Sequence, residues 1–324
     1  MIREYDVITL GGTTMDAFMT LDDTHNRYHF DEKTGELAFR HGEKINVKRY
    51  DFSMGGNATN VAVGLSRLGF KTTICSEIGD DEMSIKIRNT LAQENIERLF
   101  MVQTPGRSNF SVIINFKGER TIFSEHILRE NNFDIVDATA KYIYITSLGT
   151  KWHHAYEKML TFAKEQNAVI TFNPGNPQFK DGKEIVEKVM KHTEILFLNK
   201  EEAELLLFNH YGEKDDDSDG YLQRLATKLQ KIGAKIVVIT NGKDGSYCLD
   251  QNGEFFKQEM QPGEPVERTG AGDAYTAGFL AAHMNGRSLP EAMQWGSYNA
   301  AAVVAHIGAE AGLLTKEEME AKVK

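Results

Sequence analysis

The sequence predicts an α/β fold: a doubly wound, mostly parallel β-sheet flanked by helices, with a small antiparallel β lid. The first observation is that short apolar runs alternate with amphipathic segments along most of the chain. Such alternation is typical of parallel strands joined by helices that cover both faces of a sheet. The second observation is that residues 25–50 and 108–125 each read as a hairpin without a covering helix, which predicts a sheet outside the main one.

The elements follow from hydrophobic periodicity. Apolar runs predict buried strands at 6–10, 71–76, 141–146, 168–172, 194–198 and 235–240. Apolar residues at helical spacing predict amphipathic helices at 57–69, 152–166 and 221–232. After residue 270 the pattern is helical throughout, and "SLPE" (288–291) and "TKEE" (315–318) predict capping boxes.

These elements predict two structural units. The α/β core comprises residues 1–12, 51–107 and 126–324. The β-sheet lid comprises 13–50 and 108–125, placed where it could close over a site and exclude water.

Composition excludes several classes of protein. The chain has 324 residues and a formal net charge of −10, which argues against nucleic acid as a partner because phosphate backbones recruit clustered Lys and Arg. No apolar run approaches the roughly 20 residues of a membrane span. Cys75 and Cys248 lie in strand-like contexts and are predicted to be buried free thiols. We expect a soluble cytoplasmic protein without membrane contact.

The segment "ERTGAGDAYTAGF" (267–279) points to chemistry at the start of a helix. Gly270, Ala271 and Gly272 let a ligand approach the backbone closely. The first N–H groups of a helix lack partners and suit an anion. Asp273 would lie beside that anion, which is unusual for binding alone and sensible for a site that does chemistry.

A second glycine cluster, "SMGGNATNVAVGL" (53–65), predicts a tight turn at Gly56 followed by a helix. Asn57 could cap that helix, but capping does not account for Asn60, and the two amides suit sugar hydroxyls. Asp16 follows the first predicted strand, where ligands of open α/β sheets gather. A turn residue is the alternative interpretation of Asp16.

Two further segments follow strands and allow two interpretations each. Asn199 and Glu202 fit an N-cap and N3 pair, or they could order water around a magnesium ion near phosphates. Thr240, Gly242 and Gly245 could line a ligand site, but a plain hairpin turn explains them equally well.

Several common site motifs are missing from the sequence. It contains no G-x-x-x-x-G-K-[ST] and no G-x-G-x-x-G, so a nucleotide would be held in another way and a Rossmann oxidoreductase is disfavoured. It also lacks H-E-x-x-H and G-x-S-x-G, which leaves zincin and α/β-hydrolase activities without support.

Taken together, the motifs resemble the ribokinase-like, or PfkB, carbohydrate kinases. The family's N-terminal signature is similar to residues 55–84, its N-x-x-E motif to Asn199–Glu202, and its C-terminal signature to residues 267–279. The motifs occur in the family's order, so the resemblance covers nearly the whole chain.

The resemblance implies an ATP-dependent phosphotransferase that uses Mg²⁺. Asp273 would be the general base, and the backbone N–H groups of Gly270, Ala271 and Gly272 would form an anion hole. Asn199 and Glu202 would hold magnesium through water. The implied ATP-site residues are Thr240, Gly242, Gly245 and, near the adenine, Asn299. The implied substrate residues are Asp16, Gly56, Asn57, Asn60 and Asn173. The lid often also forms a homodimer contact in this family.

One departure from the family concerns a monovalent cation. The family commonly has D-T-T-G-A-G-D, and its first aspartate helps to hold that ion, whereas this chain has Glu267-Arg268-Thr269 before Gly270. Glu267 keeps the charge on a longer side chain, so it is a possible K⁺ ligand. Arg268 could place a positive charge nearby or face solvent.

The substrate is expected to be a small neutral polyol. Several family members have a lysine where this chain has Asn57, which makes a phosphorylated substrate less attractive. A free sugar is favoured over a nucleoside. The lid aromatics Phe30, Phe39, Phe110 and Phe116 could stack on a base or form the lid's own core. A third hypothesis is a catalytically silent sugar- or nucleotide-binding regulator.

Overall fold

The computed structural model describes residues 2–22, 27–117, 119–125, 127–208, 218–263 and 265–323. Residues 23–26 of the predicted lid lie outside these ranges. The strands are β1 Arg3–Leu10, β2 Thr14–Thr20, β3 Tyr28–Asp31, β4 Glu36–Phe39, β5 Arg49–Gly55, β6 Thr72–Ile78, β7 Met101–Gln103, β8 Phe110–Phe116, β9 Glu119–Glu125, β10 Ala138–Thr146, β11 Val169–Asn173, β12 Thr193–Asn199, β13 Ile236–Thr240, β14 Ser246–Leu249 and β15 Phe255–Gln258. The helices are α1 Asn57–Arg67, α2 Glu82–Gln93, α3 His153–Gln166, α4 Asn176–Asp181, α5 Lys183–Met190, α6 Lys200–Phe208, α7 Asp219–Ile232, α8 Ala271–Met284, α9 Leu289–Val304 and α10 Lys316–Lys322.

The main sheet has the predicted mostly parallel architecture. Its order is β15-β14-β13-β12-β11-β10-β1-β6-β7, with parallel pairing from β13 to β7 and antiparallel pairing of β14 and β15 at one edge. The six predicted apolar runs are β1, β6 and β10 to β13. They lack alternation because helices cover both faces of this sheet.

Helices bury both faces of the main sheet. On one face, Phe279 of α8 and Trp295 of α9 lie in a core cluster with Val238 of β13. On the other face, Tyr156 of α3 lies in a cluster with Ile143 of β10. The predicted capping boxes begin α9 and α10, and both cysteines are buried free thiols, as predicted.

The lid sheet differs from the prediction in its strands. Its order is β5-β2-β8-β9, and β2 pairs with β8 in parallel, so the sheet is not wholly antiparallel. The predicted hairpin in 25–50 is present as β3 and β4, but it forms a sheet of its own. Because β5 pairs with β2, the first lid segment extends to residue 55 rather than ending at 50.

Most of the lid aromatics form a small core within the lid. Tyr28 and Phe30 contact the Phe116 ring at centroid distances of 5.6 and 5.5 Å, and Phe39 packs on Tyr28 at 6.1 Å. Phe110 packs instead against a core cluster beside α1. These contacts favour the packing interpretation over stacking on a base.

None of the helices within the described ranges is long and apolar enough to cross a membrane.

Candidate active site

Most of the predicted site residues meet in one cleft at the carboxyl edge of the parallel strands. The cleft has a volume of about 200 Å³, and this edge is where open α/β sheets bind ligands. Its lining includes Asn57, Arg120, Asn173, Asn199, Glu202, Thr240, Arg268, Gly270, Ala271, Gly272 and Asp273.

The glycine turn before Asp273 is required by its backbone geometry. Gly270 caps α8 with φ +80°, in the left-handed region, where other residues are strained. A Cβ on Gly270 would lie 2.5 Å from the Ala309 Cβ, whereas one on Gly272 would meet nothing within 4 Å. The Ala271 N–H donates to the Arg268 carbonyl at 3.3 Å, while the N–H of Gly272 has no acceptor within the helix.

Asp273 is held by a side-chain hydrogen bond, and its pKa is strongly raised. Its Oδ2 accepts a hydrogen bond from Asn60 Nδ2 at 2.7 Å, a contact between residues 213 positions apart. Burial raises the pKa of Asp273 to about 7, and the Asn60 hydrogen bond opposes that rise. A carboxyl group with a pKa near the working pH is suited to accepting a proton and releasing it again.

Asp16 lies within β2 rather than in a turn, on the face of the lid sheet that carries Ser53 and Ser111. It is buried, and burial raises its pKa to about 6 against the lowering effect of its hydrogen bonds. Its Oδ1 has no hydrogen-bond partner in the part of the chain that the structure describes, and neither has Oδ1 of Asn60. These buried acceptors suit ligand hydroxyl groups.

The helix α1 is capped by Gly56 and not by Asn57, the residue predicted for that position. Gly56 is the N-cap of α1, with φ +99°, and Asn57 is the first helical residue. No side chain caps this helix, so the prediction that Asn57 is the cap is wrong. A Cβ on Gly56 would lie 2.3 Å from the Gly12 carbonyl oxygen. The close approach of two chain segments therefore explains Gly56, and Asn57 is left facing the cleft.

Asn199 and Glu202 form the predicted cap and still face the cleft. The Glu202 N–H donates to Asn199 Oδ1 at 2.7 Å, and the Asn199 N–H donates to Glu202 Oε2 at 2.9 Å. Burial raises the pKa of Glu202 to about 7, with a further rise from the charge of Asp273. The described residues contain no cluster of three His, Cys, Asp or Glu side chains suited to a metal. A hydrated Mg²⁺ needs only one or two carboxylates from the protein, and the Glu202 carboxylate is suited to that role.

The remaining predicted nucleotide residues divide into two groups. Thr240 lines the cleft, and Gly242 and Gly245 shape the turn between β13 and β14, as the hairpin interpretation predicts. Asn299 is fully buried; its Nδ2 donates to the Ala274 carbonyl and its Oδ1 accepts from the Leu314 N–H. The predicted adenine contact of Asn299 is therefore corrected to a structural role.

Asn173 is fixed at the end of β11 and lines the cleft. Its Nδ2 donates to the Phe197 carbonyl at 2.7 Å, and its Oδ1 accepts from the Tyr144 hydroxyl at 3.4 Å. Since the Tyr144 bond is long, the amide oxygen retains capacity for a ligand.

Glu267 is buried beside the glycine turn that precedes Asp273. Its Oε1 accepts from the N–H and the hydroxyl of Thr269 at 2.7 and 2.6 Å, and its Oε2 lacks a partner among the described residues. Arg268 lines the cleft and its side chain is also 50% exposed, so it combines the two positions considered for it.

Sequence reasoning missed Arg120, which lines the cleft, and two buried polar residues, Asn115 and Glu310. Asn115 and Arg120 are opposite each other on β8 and β9, on the face of the lid sheet that carries Asp16. Asn115 is buried with both amide atoms unpartnered in the described chain. Burial raises the pKa of Glu310 to about 8. The alternating pattern of β8 would have placed Asn115 on the face of Ser111, but no local pattern connects these residues with Asp273.

The sequence and fold match known carbohydrate kinases. Residues 16–316 match the family described as pfkB family carbohydrate kinase. An uncharacterized sugar kinase of Archaeoglobus fulgidus is 28% identical over 262 residues, covering 78% of this chain and 98% of the relative. A 5-dehydro-2-deoxygluconokinase of Geobacillus thermodenitrificans is 26% identical over 296 residues, covering 86% of this chain and 85% of the relative. The Arabidopsis thaliana ribokinase structure complexed with ribose and ATP is 17% identical, with a TM-score of 0.76 and 99% of each chain covered.

The family match includes the motifs that meet in the cleft. Asn60, the Asn199–Glu202 pair and Asp273 all lie within the matched residues. The resemblance predicted from these motifs is confirmed by a match to most of the chain. The chain belongs to the pfkB family of carbohydrate kinases, which are phosphotransferases with an alcohol group as acceptor.

Proposed function

We propose that this protein transfers the γ-phosphoryl group of ATP to a hydroxyl group of a neutral polyol, most simply a free sugar. The observation that carries the proposal is Asp273, whose pKa is about 7, at the start of α8 beside the glycine turn. A general base and unpaired N–H donors at one point are what transfer to an alcohol needs.

In the proposed step, the acceptor oxygen forms a bond to the γ-phosphorus, and the bond from that phosphorus to its bridging oxygen breaks. The leaving ADP takes the electron pair, and Asp273 takes the hydroxyl proton. Asn60 keeps one carboxylate oxygen of Asp273 occupied at 2.7 Å, which leaves the other oxygen for the acceptor hydroxyl. The N–H groups of Gly270, Ala271 and Gly272 would face the charge on the phosphoryl group, with the Ala271 N–H exchanging its 3.3 Å bond to the Arg268 carbonyl for that contact.

A polyol fits the unpartnered polar atoms near the cleft. Oδ1 of Asp16 and Oδ1 of Asn60 are buried acceptors, and Asn115 offers a donor and an acceptor. With Gly56 shaping the turn and Asn57 and Asn173 lining the cleft, these side chains would bind hydroxyl groups. A free sugar is favoured over a nucleoside because Phe30, Phe39 and Phe116 are used within the lid.

The proposal includes two ions, Mg²⁺ and a monovalent cation. Asn199 and Glu202 would hold Mg²⁺ through water, and this ion neutralises charge on the phosphates. Oε2 of Glu267 is buried without a partner among the residues described, which fits a monovalent cation such as K⁺. Thr240 and the Gly242–Gly245 turn would border ATP.

A homodimer through the lid is proposed from the lid's outer face. Phe52 and Phe123 lie in one cross-strand row of that face, and Tyr50 lies in the next row. Their exposed fractions are 43%, 57% and 53%, and such apolar surface is characteristic of an interface. Light scattering should give the mass of a dimer, and a monomer at micromolar concentration would contradict this proposal.

The substrate is tested by incubating the protein with magnesium-ATP and a panel of acceptors. The panel contains free sugars, nucleosides and, because of the Geobacillus relative, 5-dehydro-2-deoxygluconate. ADP release and product mass identify the acceptor, and paired reactions in K⁺ and Na⁺ test the cation. Turnover with nucleosides alone would reject the free sugar. ATP binding without any phosphorylated product would favour the silent regulator.

The rate should depend on the ionisation of Asp273. Because its pKa is about 7, log(kcat/KM) is expected to fall with a slope of about one per pH unit below pH 7. Asn60→Ala removes the hydrogen bond that lowers this pKa, so the acidic limb should move to higher pH. Glu202 is the other cleft residue with a pKa of about 7, and Glu202→Gln removes its titration. If the acidic limb disappeared in this variant, the limb would belong to Glu202 and not to Asp273.

A further inference from the structure

The lid sheet joins the core at its base, where the side chain of Asn109 bonds two other segments of the chain. The sheet consists of β5, β2, β8 and β9, and we define the lid base as the segments that flank these strands on the core side: residues 11–13, 56, 104–109 and 127–131. Asn109 Nδ2 donates to the Thr13 carbonyl at 3.2 Å, and its Oδ1 accepts from the Ile127 N–H at 2.9 Å. One amide group therefore links three segments of the lid base.

Asn109 also holds the start of β2, the strand that carries Asp16. The Asn109 carbonyl accepts from the Met15 N–H at 3.1 Å, so Asn109 bonds the backbone on both sides of Thr14. Ser111, two positions after Asn109, lies opposite Asp16 in the lid sheet. Burial raises the pKa of Asp16 to about 6, and the hydrogen bond from Ser111 opposes that rise. The position of Asp16 relative to the cleft therefore depends on the bonds that Asn109 makes.

A buried ion pair fixes the same lid base to the main sheet. Glu77 of β6 lies 3.8 Å from Arg129, and their side chains are 4% and 6% exposed. Arg129 Nη1 donates to the Thr104 hydroxyl at 2.6 Å, and Nη2 donates to the Arg107 carbonyl. Glu77 Oε2 accepts from the Asn131 N–H at 2.8 Å. Buried charges need such partners, so the pair ties the segment before β8 and the segment after β9 to one point of β6.

A small cavity beside these groups is lined by Asn109, Glu77 and Arg129, together with Gly12 and Leu148, which follow β1 and β10. Its volume is about 20 Å³, which admits one water molecule and is too small for a sugar or a nucleotide. The polar groups of the lid base are therefore used between chain segments and do not form a second ligand site.

We propose that Asn109 is a positioning residue for the transfer reaction, which fixes the lid base so that Asp16 faces the acceptor. The Glu77–Arg129 pair supplies the fixed point on the main sheet. Hydrogen bonds weaken steeply with poor distance and angle, so a loosened lid base should weaken acceptor binding before it alters the chemistry at Asp273. The role in the reaction rests on the kinase function proposed above, whereas the effect on the lid does not.

Two variants separate the bonds of Asn109. Asn109→Ala removes both side-chain bonds. Asn109→Asp keeps an oxygen for the Ile127 N–H and loses the donor to the Thr13 carbonyl, so it releases β2 while the segment after β9 stays bound.

Gln230→Ala is the matched control. Gln230 is half-buried, as Asn109 is, and its Nε2 bonds the backbone carbonyls of Lys235 and Asp250 at 2.9 and 2.7 Å. Hydrogen exchange is measured for the amides of β2 and β8 and, as the internal reference, for those of β10 and β11. Denaturant unfolding gives the stability of each variant, and KM and kcat are measured with the acceptor found in the panel.

We expect Asn109→Ala to raise the acceptor KM about tenfold, the effect of weakening one hydrogen bond, with kcat nearly unchanged. The amides of β2 should exchange roughly tenfold faster relative to those of β10, as for a local opening. Asn109→Asp should show the same change in β2 while the Ile127 amide stays protected. Gln230→Ala should alter neither the acceptor KM nor exchange in the lid.

Two results overturn the proposal. If exchange in β2 and β10 rises together, in step with the loss of unfolding free energy, Asn109 only stabilises the fold. If β2 loosens and the acceptor KM stays unchanged, the lid base does not position Asp16 for the acceptor. If no acceptor is phosphorylated, the kinase function is rejected, and exchange in β2 still decides whether Asn109 fixes the lid base.

Discussion

Asp273→Asn is expected to lower kcat about 10³-fold, within the range of general-base effects, while the fold is retained. The carboxyl group is the proposed acceptor of the hydroxyl proton, and an amide of the same shape cannot take that proton. The amide oxygen can still accept the 2.7 Å hydrogen bond from Asn60, so the start of α8 should keep its geometry. The measurement is ADP release under saturating ATP and acceptor.

The control for this substitution is Asp134→Asn. Asp134 is exposed and pairs with Lys158 at 2.7 Å, so its loss should leave kcat within twofold and the unfolding free energy nearly unchanged. Binding of magnesium-ADP to Asp273→Asn should remain near that of the unchanged protein. If this variant kept a tenth or more of kcat, Asp273 would not be the base.

The main sheet could be predicted from the sequence because each of its central strands is recognisable from its own residues. A strand buried on both faces is a nearly continuous apolar run, as β13 is from Ile236 to Ile239, and recognising such a run needs no knowledge of its partners. The lid strands β2 and β5 were not predicted because they do not follow that rule. One face of the lid sheet carries polar residues such as Asp16 and Ser53 towards the site, and the other exposes Tyr50 and Phe52. The pattern of polar and apolar residues along these strands therefore does not predict which of their faces is buried.

The site could be predicted only where a local motif has a physical explanation within its own few residues. The glycines before Asp273 and the Asn199–Glu202 spacing can be interpreted from backbone and capping rules. Asn299 was misassigned because a buried amide that bonds two backbone groups is indistinguishable in sequence from a ligand residue. Arg120 was missed because the lid's fold alone brings it to a loop about 150 positions later.

Gly272→Ala is expected to stabilise the protein and still lower kcat about 10²-fold, the cost of losing one anion-hole donor. Gly272 is the second residue of α8, and alanine is favoured over glycine in a helix by about 0.5–1 kcal/mol. Its Cβ would meet nothing within 4 Å, because Gly272 faces the cleft. That space is where the phosphoryl group is proposed to lie, so the methyl group would hold the phosphate away from the N–H donors.

Two other glycines separate this steric effect from changes in folding. Gly220 is the second residue of α7, so Gly220→Ala should give a similar gain in unfolding free energy with unchanged kcat. Gly270→Ala should lower both the unfolding free energy and kcat. A left-handed alanine costs about 1–2 kcal/mol, and its Cβ would lie 2.5 Å from that of Ala309. Denaturant unfolding and kcat measured on all three variants check the pattern. Full activity in a stabilised Gly272→Ala would mean that the phosphate does not approach this turn, and the anion hole would then have to lie elsewhere.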